Sequence, residues 1–530
     1  MKRFISCLLI AYFLLSGCSK SDTRSIVTEE AVQSVQITKQ SNTDDSMMLS
    51  MNLTRSLNPL TNSDATVDNV FSLMYEKLIV INAAGKAEPN IAMDWIYNDT
   101  GSVIYIDLRN DVYFSDGSRL NAYDVAYSLK TIDNTDNSCY KNCLDNISNW
   151  TITGDYTMSV TFKNASWNNI YYLAIPVISR TLYGGEYAKA DSNIDKALTT
   201  GLYKVESFQK PDKLTLTLSS NCFKGESHIE KITVQMVSDE KTSIALFAQG
   251  TTDMLAPTDG ASIKSEEVSN KSAYIYTTNV YDFIGFNFNN PILKDRNIRQ
   301  AIAQALNKDY ILATVYLGNS EKAYTPVRAS SWLYEVATLD YDYNLNVSKM
   351  LLEQSGWLFR VGNDKVRIKN DENNTKLSLR ILVNSGSAER VQVANKLAEE
   401  LKGIGFEILV EALENDEYLK RVENGNYDIV VGSRSISSFD YSSMLSSDGN
   451  IINYSSDRMD EYLKACKNAI TDEEIIAAYS ALQKYISQEL PYISIGYRKS
   501  KVYLGNRIEG HISPECYNKF SGIENLLIRK

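Results

Sequence analysis

A single stretch, Gly432 to Tyr441, gathers the groups best suited to holding a charged ligand: Arg434, Ser435, Ser437, Asp440 and Tyr441. A guanidinium at Arg434 offers a planar, two-pronged grip on a carboxylate or phosphate; it reads equally well as a solvated or bridging arginine. A carboxylate at Asp440 would hold an ammonium through a charge-assisted hydrogen bond. Catalysis has far less to draw on. The chain has only two histidines, His228 and His511, which leaves little for a histidine-rich metal site or for the commonest general base. It contains no G-x-S-x-G, no H-E-x-x-H, no P-loop and no G-x-G-x-x-G followed by an acid. Glu266-Glu267 and Glu399-Glu400 are adjacent in sequence, so their side chains diverge and read as surface charge. No catalytic residue, metal or cofactor is assigned, and the protein is expected to bind without acting as an enzyme. Cys139 and Cys143 have the wrong spacing for a C-x-x-C site, so a local disulfide and idle thiols both fit them.

The loop follows Tyr427 to Val431, the third strand of a β-α-β-α-β pattern. Leu377 to Val383 reads as the first strand, and a helix from Ser387 to Lys402 carries Val391, Ala394, Leu397, Ala398 and Leu401 on one face. Gly403 and Gly405 stop that helix, Phe406 to Glu411 is the second strand, and Glu414 to Asn424 is a second helix. Such a unit requires parallel strands and right-handed crossovers. Ligands of open α/β sheets sit beyond the carboxyl ends of the strands, which is where this loop begins. The first half differs: Val103 to Leu108, Leu214 to Leu218 and Ile229 to Val237 read mostly as strands, with helices at Val67 to Leu78 and Ala122 to Lys130. Pro491 to Leu504 is again strand-like and would return the chain to the first half, giving two crossings and a hinge. The fold class is α/β (mixed α+β).

At 530 residues the chain exceeds one small domain, and 44% hydrophobic with 22% charged residues is the balance of a folded protein. Its net charge of -11 lacks the basic footprint of a nucleic-acid binder, so no nucleic-acid partner is expected. Met1-Lys2-Arg3 precedes an apolar run, Phe4 to Leu15, too short to span a bilayer and shaped like a secretory signal. Leu15-Ser16-Gly17-Cys18 resembles the bacterial lipobox, in which the cysteine becomes a lipidated N-terminus; an ordinary signal peptide is the alternative. Residues 1–17 are then the signal peptide, and 18–46 are the lipidated Cys18 with a polar, flexible tether. The body is expected on the extracytoplasmic face of the cell membrane, held by lipid.

Several motifs align with one family. Leu57-Asn58-Pro59-Leu60 with Tyr75-Glu76-Lys77-Leu78 is similar to "L-D-P … Y-E-x-L", and Leu108 to Gly117 to "L-R-x-x-V-x-F-x-D-G". Thr200-Gly201-Leu202-Tyr203-Lys204-Val205 matches "T-G-x-Y-x-V", and Asp295, Arg299, Ala301 and Ala305-Leu306-Asn307-Lys308 match a "D-x-x-x-R-x-A-x-x-x-A-x-D-R/K" segment. The chain thus resembles family 5 extracellular solute-binding proteins, the oligopeptide-, dipeptide- and nickel-binding components of ABC transporters. Most of these motifs read physically as scaffold.

The resemblance implies a two-lobed periplasmic-binding-protein-like fold with an inserted subdomain and a hinge. Lobe I would take residues 47–84, 196–284 and 497–530, the subdomain 85–195, and lobe II 285–496. It implies a monomer that captures oligopeptides in the interlobe cleft and delivers them to permease subunits. Ser63, Asp64 and Ala65 would offer main-chain groups to an extended ligand, and Tyr281 and Phe283 would line the cleft. The usual acidic anchor falls on Ser437 without gaps, and Asp440-Tyr441 restores it only if the loop is longer. A receptor for a non-peptide solute (oligosaccharide, opine or modified peptide) and a peptide-sensing signalling lipoprotein remain the alternatives.

Overall fold

Strand β1 (Ser46–Asn52) alternates buried Met47, Leu49 and Met51 with half-buried Ser46, Met48, Ser50 and Asn52, the period of a strand with one face on a core. The computed structural model describes residues 46–529, apart from 137, 183–196, 262, 361–362 and 437–438. The expected signal peptide, Cys18, most of the tether and Ser437 lie outside the described residues. Helix α1 (Ala65–Phe71) follows β1, and the hairpin of β2 (Ile79–Ile81) and β3 (Ala87–Pro89) turns through Gly85. Next, β4 (Ala92–Tyr97) and β5 (Val103–Leu108) lead to α2 (Ala122–Asp133), β6 (Ile147–Gly154) and β7 (Thr157–Phe162). These four strands form their own antiparallel sheet, β4-β5-β7-β6. The chain then returns through β8 (Tyr203–Gln209), β9 (Lys213–Leu218) and β10 (Lys231–Val237), and β10 pairs in parallel with β1. The two sheets share one hydrophobic core, which holds Ile104 and Val160 together with Leu49 and Val234.

The helix expected at Val67 to Leu78 stops at Phe71. Tertiary pairing overrides helical periodicity here, because the amides of Thr200 and Gly201 both bond the Met74 carbonyl. A Cβ on Gly201 would lie 2.6 Å from the Leu73 carbonyl oxygen, so only glycine permits this approach.

Helix α3 (Glu240–Ala248) and β11 (Met254–Leu255) precede the long β12 (Ser272–Phe286), whose last six residues are all buried. Then come α4 (Pro291–Lys294), α5 (Arg296–Ala305), α6 (Lys308–Thr314), β13 (Ser320–Lys322), α7 (Leu345–Gln354), and the hairpin β14 (Trp357–Arg360) and β15 (Asn363–Lys369). Arg299, 2% exposed, donates to the carbonyls of Leu293, Lys294 and Glu489, which makes that motif a structural tie.

The expected β-α-β-α-β unit is present as β16 (Ser378–Asn384), α8 (Ala388–Gly403), β17 (Glu407–Leu413), α9 (Asn415–Glu423) and β18 (Ile429–Ser435), with β16 parallel to both neighbours. Ser387 caps α8, and Gly405 at φ +104 takes the left-handed turn after it. Helices α10 (Ser442–Leu445), α11 (Asp457–Asn468) and α12 (Asp472–Glu489) lead to β19 (Tyr492–Leu504). The second large sheet runs β11-β19-β12-β18-β16-β17, with β13 also on β19. Within it β12 and β19 pair twice: residues 272–277 with 499–504 beside β11, and residues 281–285 with 492–497 beside β18. The ladder shifts register between Thr277 and Tyr281, so the two halves of the molecule meet at an irregular crossing.

Candidate binding site

Five aromatic side chains meet across the line between the two halves. Trp167 and Tyr171, from the 3-10 turn Trp167–Leu173, face Trp332, Phe439 and Tyr479. Trp167 lies 5.7 Å from Trp332 (83°), 5.7 Å from Phe439 (32°) and 5.8 Å from Tyr479 (90°), and Tyr171 lies 5.7 Å from Phe439 (74°). All but the tilted Trp167–Phe439 pair are edge-to-face, and such pairs add about 0.5–1.5 kcal/mol each beyond the area they bury. The Trp332 amide donates to the Ala84 carbonyl at 3.1 Å, and Lys86 pairs with Asp472 while its ammonium sits 4.9 Å over the Trp332 ring. Gly85 makes the fit possible: at φ +81, an added Cβ would come within 3.1 Å of Phe439 Cζ and 3.6 Å of Arg328 Nη2.

Beside this wall lies a cavity of about 270 Å³. Asp145, Asn146, Asn164 and Asn168 line one side, and Asp440, Tyr441, Lys467 and Tyr479 the other. Amides donate and accept at once, so this lining suits a polar solute rich in amide or hydroxyl groups. The two carboxylates suit an ammonium. Asp440 accepts from the Ser442 amide at 2.9 Å and still reaches the cavity. Burial raises the Tyr441 and Tyr479 hydroxyls above their ordinary pKa, so both are neutral donors, and Tyr479 spends its proton on the Phe439 carbonyl at 2.7 Å. Nearer the crossing, Arg328 is buried, with Nη1 at 3.4 Å from the Thr277 carbonyl on β12.

The structure brings only some of the candidate residues together. Asp440 and Tyr441 line the cavity. Arg434 and Ser435 are exposed at the end of β18, opposite Tyr281 and Val280 in the ladder. Tyr281 and Phe283 are buried at the crossing, stacked at 5.7 Å, with the Tyr281 hydroxyl 2.6 Å from that of Ser494. Ser63 and Ala65 are exposed, and Asp64 caps α1. Burial alone would raise the Asp64 pKa, but bonds from Asn52, Thr66 and Val67 outweigh it and hold the carboxyl below its ordinary value. Cys139, Cys143, Cys222, Cys466 and Cys516 are free thiols, so no 139–143 disulfide forms. His228 is exposed, and the exposed His511 packs against Tyr274 at 5.0 Å. Sequence reasoning missed Trp167, Tyr171, Arg328, Trp332, Phe439 and Tyr479; nothing in their spacing joins them.

The mixed α/β architecture matches that of solved periplasmic binding proteins. Residues 86–450 match the model of the bacterial extracellular solute-binding proteins, family 5, and the chain belongs to that family. Its members bind solutes, and the relatives the chain matches are substrate-binding proteins of ABC transporters rather than enzymes. A curated relative, the oligopeptide-binding protein AppA of Bacillus subtilis, is 21% identical over 97% of this chain and 97% of its own. The solved structure of that AppA with a nonapeptide is similar at TM-score 0.58 and 20% identity, covering 92% of this chain and 99% of the other. A nickel ABC transporter structure from Bacillus halodurans is similar at TM-score 0.77 and 19% identity, covering 91% and 99%. Among the described residues no helix is long and apolar enough to cross a membrane.

Proposed function

We propose that this protein is the lipid-anchored receptor of an ABC importer, carried on Cys18, that captures oligopeptides between its lobes and hands them to a membrane permease. The observation that supports this reading most is the alignment with an oligopeptide-binding protein along 97% of both chains. In this reading lobe I takes residues 47–84, 196–284 and 497–530, the subdomain 85–195 and lobe II 285–496. The monomer closes by rotation about β12 and β19. A solute shifts the population toward the closed form only through contacts it makes better there than in the open one. Asn164, held by Asn146, and Asn168 would pair with peptide main chain, which gives affinity largely independent of side-chain identity. Asp440 would hold the α-ammonium.

One observation favours a small non-peptide solute instead. The cavity volume of about 270 Å³ lies at the small end for ligand pockets, which run to about 1,000 Å³. Native mass spectrometry of the purified protein separates the two. A ladder of co-purified masses spaced by amino-acid residues is expected; one discrete non-peptide mass would replace the peptide reading with the second.

A further inference from the structure

Trp167 also lines a second, smaller cavity of about 80 Å³, and it is the one residue that the two cavities share. At about 30 Å³ per water, this space holds roughly two or three waters, which suits a head group and excludes a peptide. Its walls are rings. Trp95 and Tyr97, two residues apart on β4, share a face of that strand. Trp167 and Tyr171 come from the 3-10 turn, and Trp332 from the irregular segment between β13 and α7. Trp167 stands at 83° to Trp332 and at 86° to Tyr171, each 5.7 Å away, so neighbouring rings meet like the sides of a box. Both tyrosine hydroxyls are engaged by backbone: Tyr171 donates to the Gly85 carbonyl at 2.9 Å, and Tyr97 to that of Trp167. Besides rings and hydrocarbon, the side chains of the lining offer one carboxylate, Asp472, and one ammonium, Lys86.

The lining already shows which charge it favours. The Lys86 ammonium lies 4.9 Å over the Trp332 ring and pairs with Asp472. A cation within about 6 Å of a ring centroid is attracted by the negative face of the ring. Lysine is nonetheless a loose occupant. Its side chain is 42% exposed and that of Asp472 53%, and a primary ammonium is a compact, strongly hydrated charge. A quaternary ammonium fits the same surroundings better. Its methyl groups spread the charge, it donates no hydrogen bond, and aromatic faces with one carboxylate supply what it can use. The first turn of α12 carries Asp472, Glu473 and Glu474, whose three charges outweigh the positive end of the helix, about half a charge.

We propose that this box of rings is a second binding site, for the quaternary ammonium group of a small solute, and that Lys86 keeps the place until such a group displaces it into water. The proposal goes beyond the peptide-receptor reading and does not rest on it. The rings give the site its preference for a cation, the volume limits it to a head group, and Asp472 pairs with whichever cation is present.

Three of the chain's five tryptophans line the cavity, so tryptophan fluorescence of the ligand-stripped full chain reads its occupation. The probes are choline and its neutral isostere 3,3-dimethyl-1-butanol. Wild type should bind choline at least about tenfold more tightly than the alcohol. Lys86→Met should tighten choline binding, because the competing cation is gone, and Asp472→Asn should weaken it. Both side chains are largely exposed, so neither substitution threatens the fold. A peptide carrying trimethyllysine names the source: weaker binding than choline assigns a free small cation, and tighter binding a methylated side chain. Equal affinity for choline and the alcohol would reduce the site to an apolar pocket, and no response to choline would leave it without a ligand. Choline affinity in Lys86→Met equal to or below that of wild type would make Lys86 a structural residue. Each of these three results overturns the proposal and leaves the peptide reading standing.

Discussion

Asp440 and Asp64 are both loop carboxylates in segments that resemble the family, yet their surroundings separate them. Asp64 satisfies the amino end of α1 and an asparagine, which leaves its oxygens committed. Asp440 accepts from a backbone amide and faces the cavity. Asp440→Asn should therefore weaken binding of a peptide-type solute by about 2 kcal/mol or more in calorimetric titration. Unchanged affinity would take Asp440 out of the site. Arg328 escaped sequence reasoning for a physical reason. An arginine between Val327 and Ala329, on a segment without regular structure, has no periodicity to betray its burial. Gly85 and Thr277, both far along the chain, come beside it in the folded structure.

Elements decide whether these side chains stay in place. Residues 325–339 carry Arg328 and Trp332, and α12 holds the segment through Gln483, whose side chain bonds Thr325, Leu333 and Glu335. Glu335 fastens the same junction. Bonds from the Ser480 hydroxyl, the Ala337 amide and Lys484 hold its carboxyl at about 2, below its ordinary 4.5. A carboxyl depressed by folding stabilises above its ordinary pKa, and that contribution is lost as pH falls from about 4.5 toward 2. Glu335→Gln should thus melt lower than wild type at neutral pH, with the gap closing across that acid window; a gap independent of pH would contradict the assignment. The β16–β18 unit is legible in the sequence because alternating strands, an amphipathic α8 and a glycine stop all agree locally. The helix at Val67 to Leu78 reads too long because the bonds that end it come from Thr200 and Gly201. The aromatic wall is invisible for the same reason, since Trp167, Trp332, Phe439 and Tyr479 lie far apart in sequence and meet only in the folded chain.

For a clamp built this way, the wall must open. In this reading Trp167 against Trp332 and Phe439, and Lys86 against Asp472, are contacts of a closed state, and β12 with β19 is the connection about which it would turn. Two sets of packed layers joined by an irregular ladder have a soft mode there and stiff interiors elsewhere. Small-angle X-ray scattering on one preparation, before and after its solute is stripped, is the decisive measurement. A hinged receptor should show a larger radius of gyration without solute and return to the compact value when the solute is restored. The same radius in both states would mean that the lobes do not part, and capture by closure would be wrong.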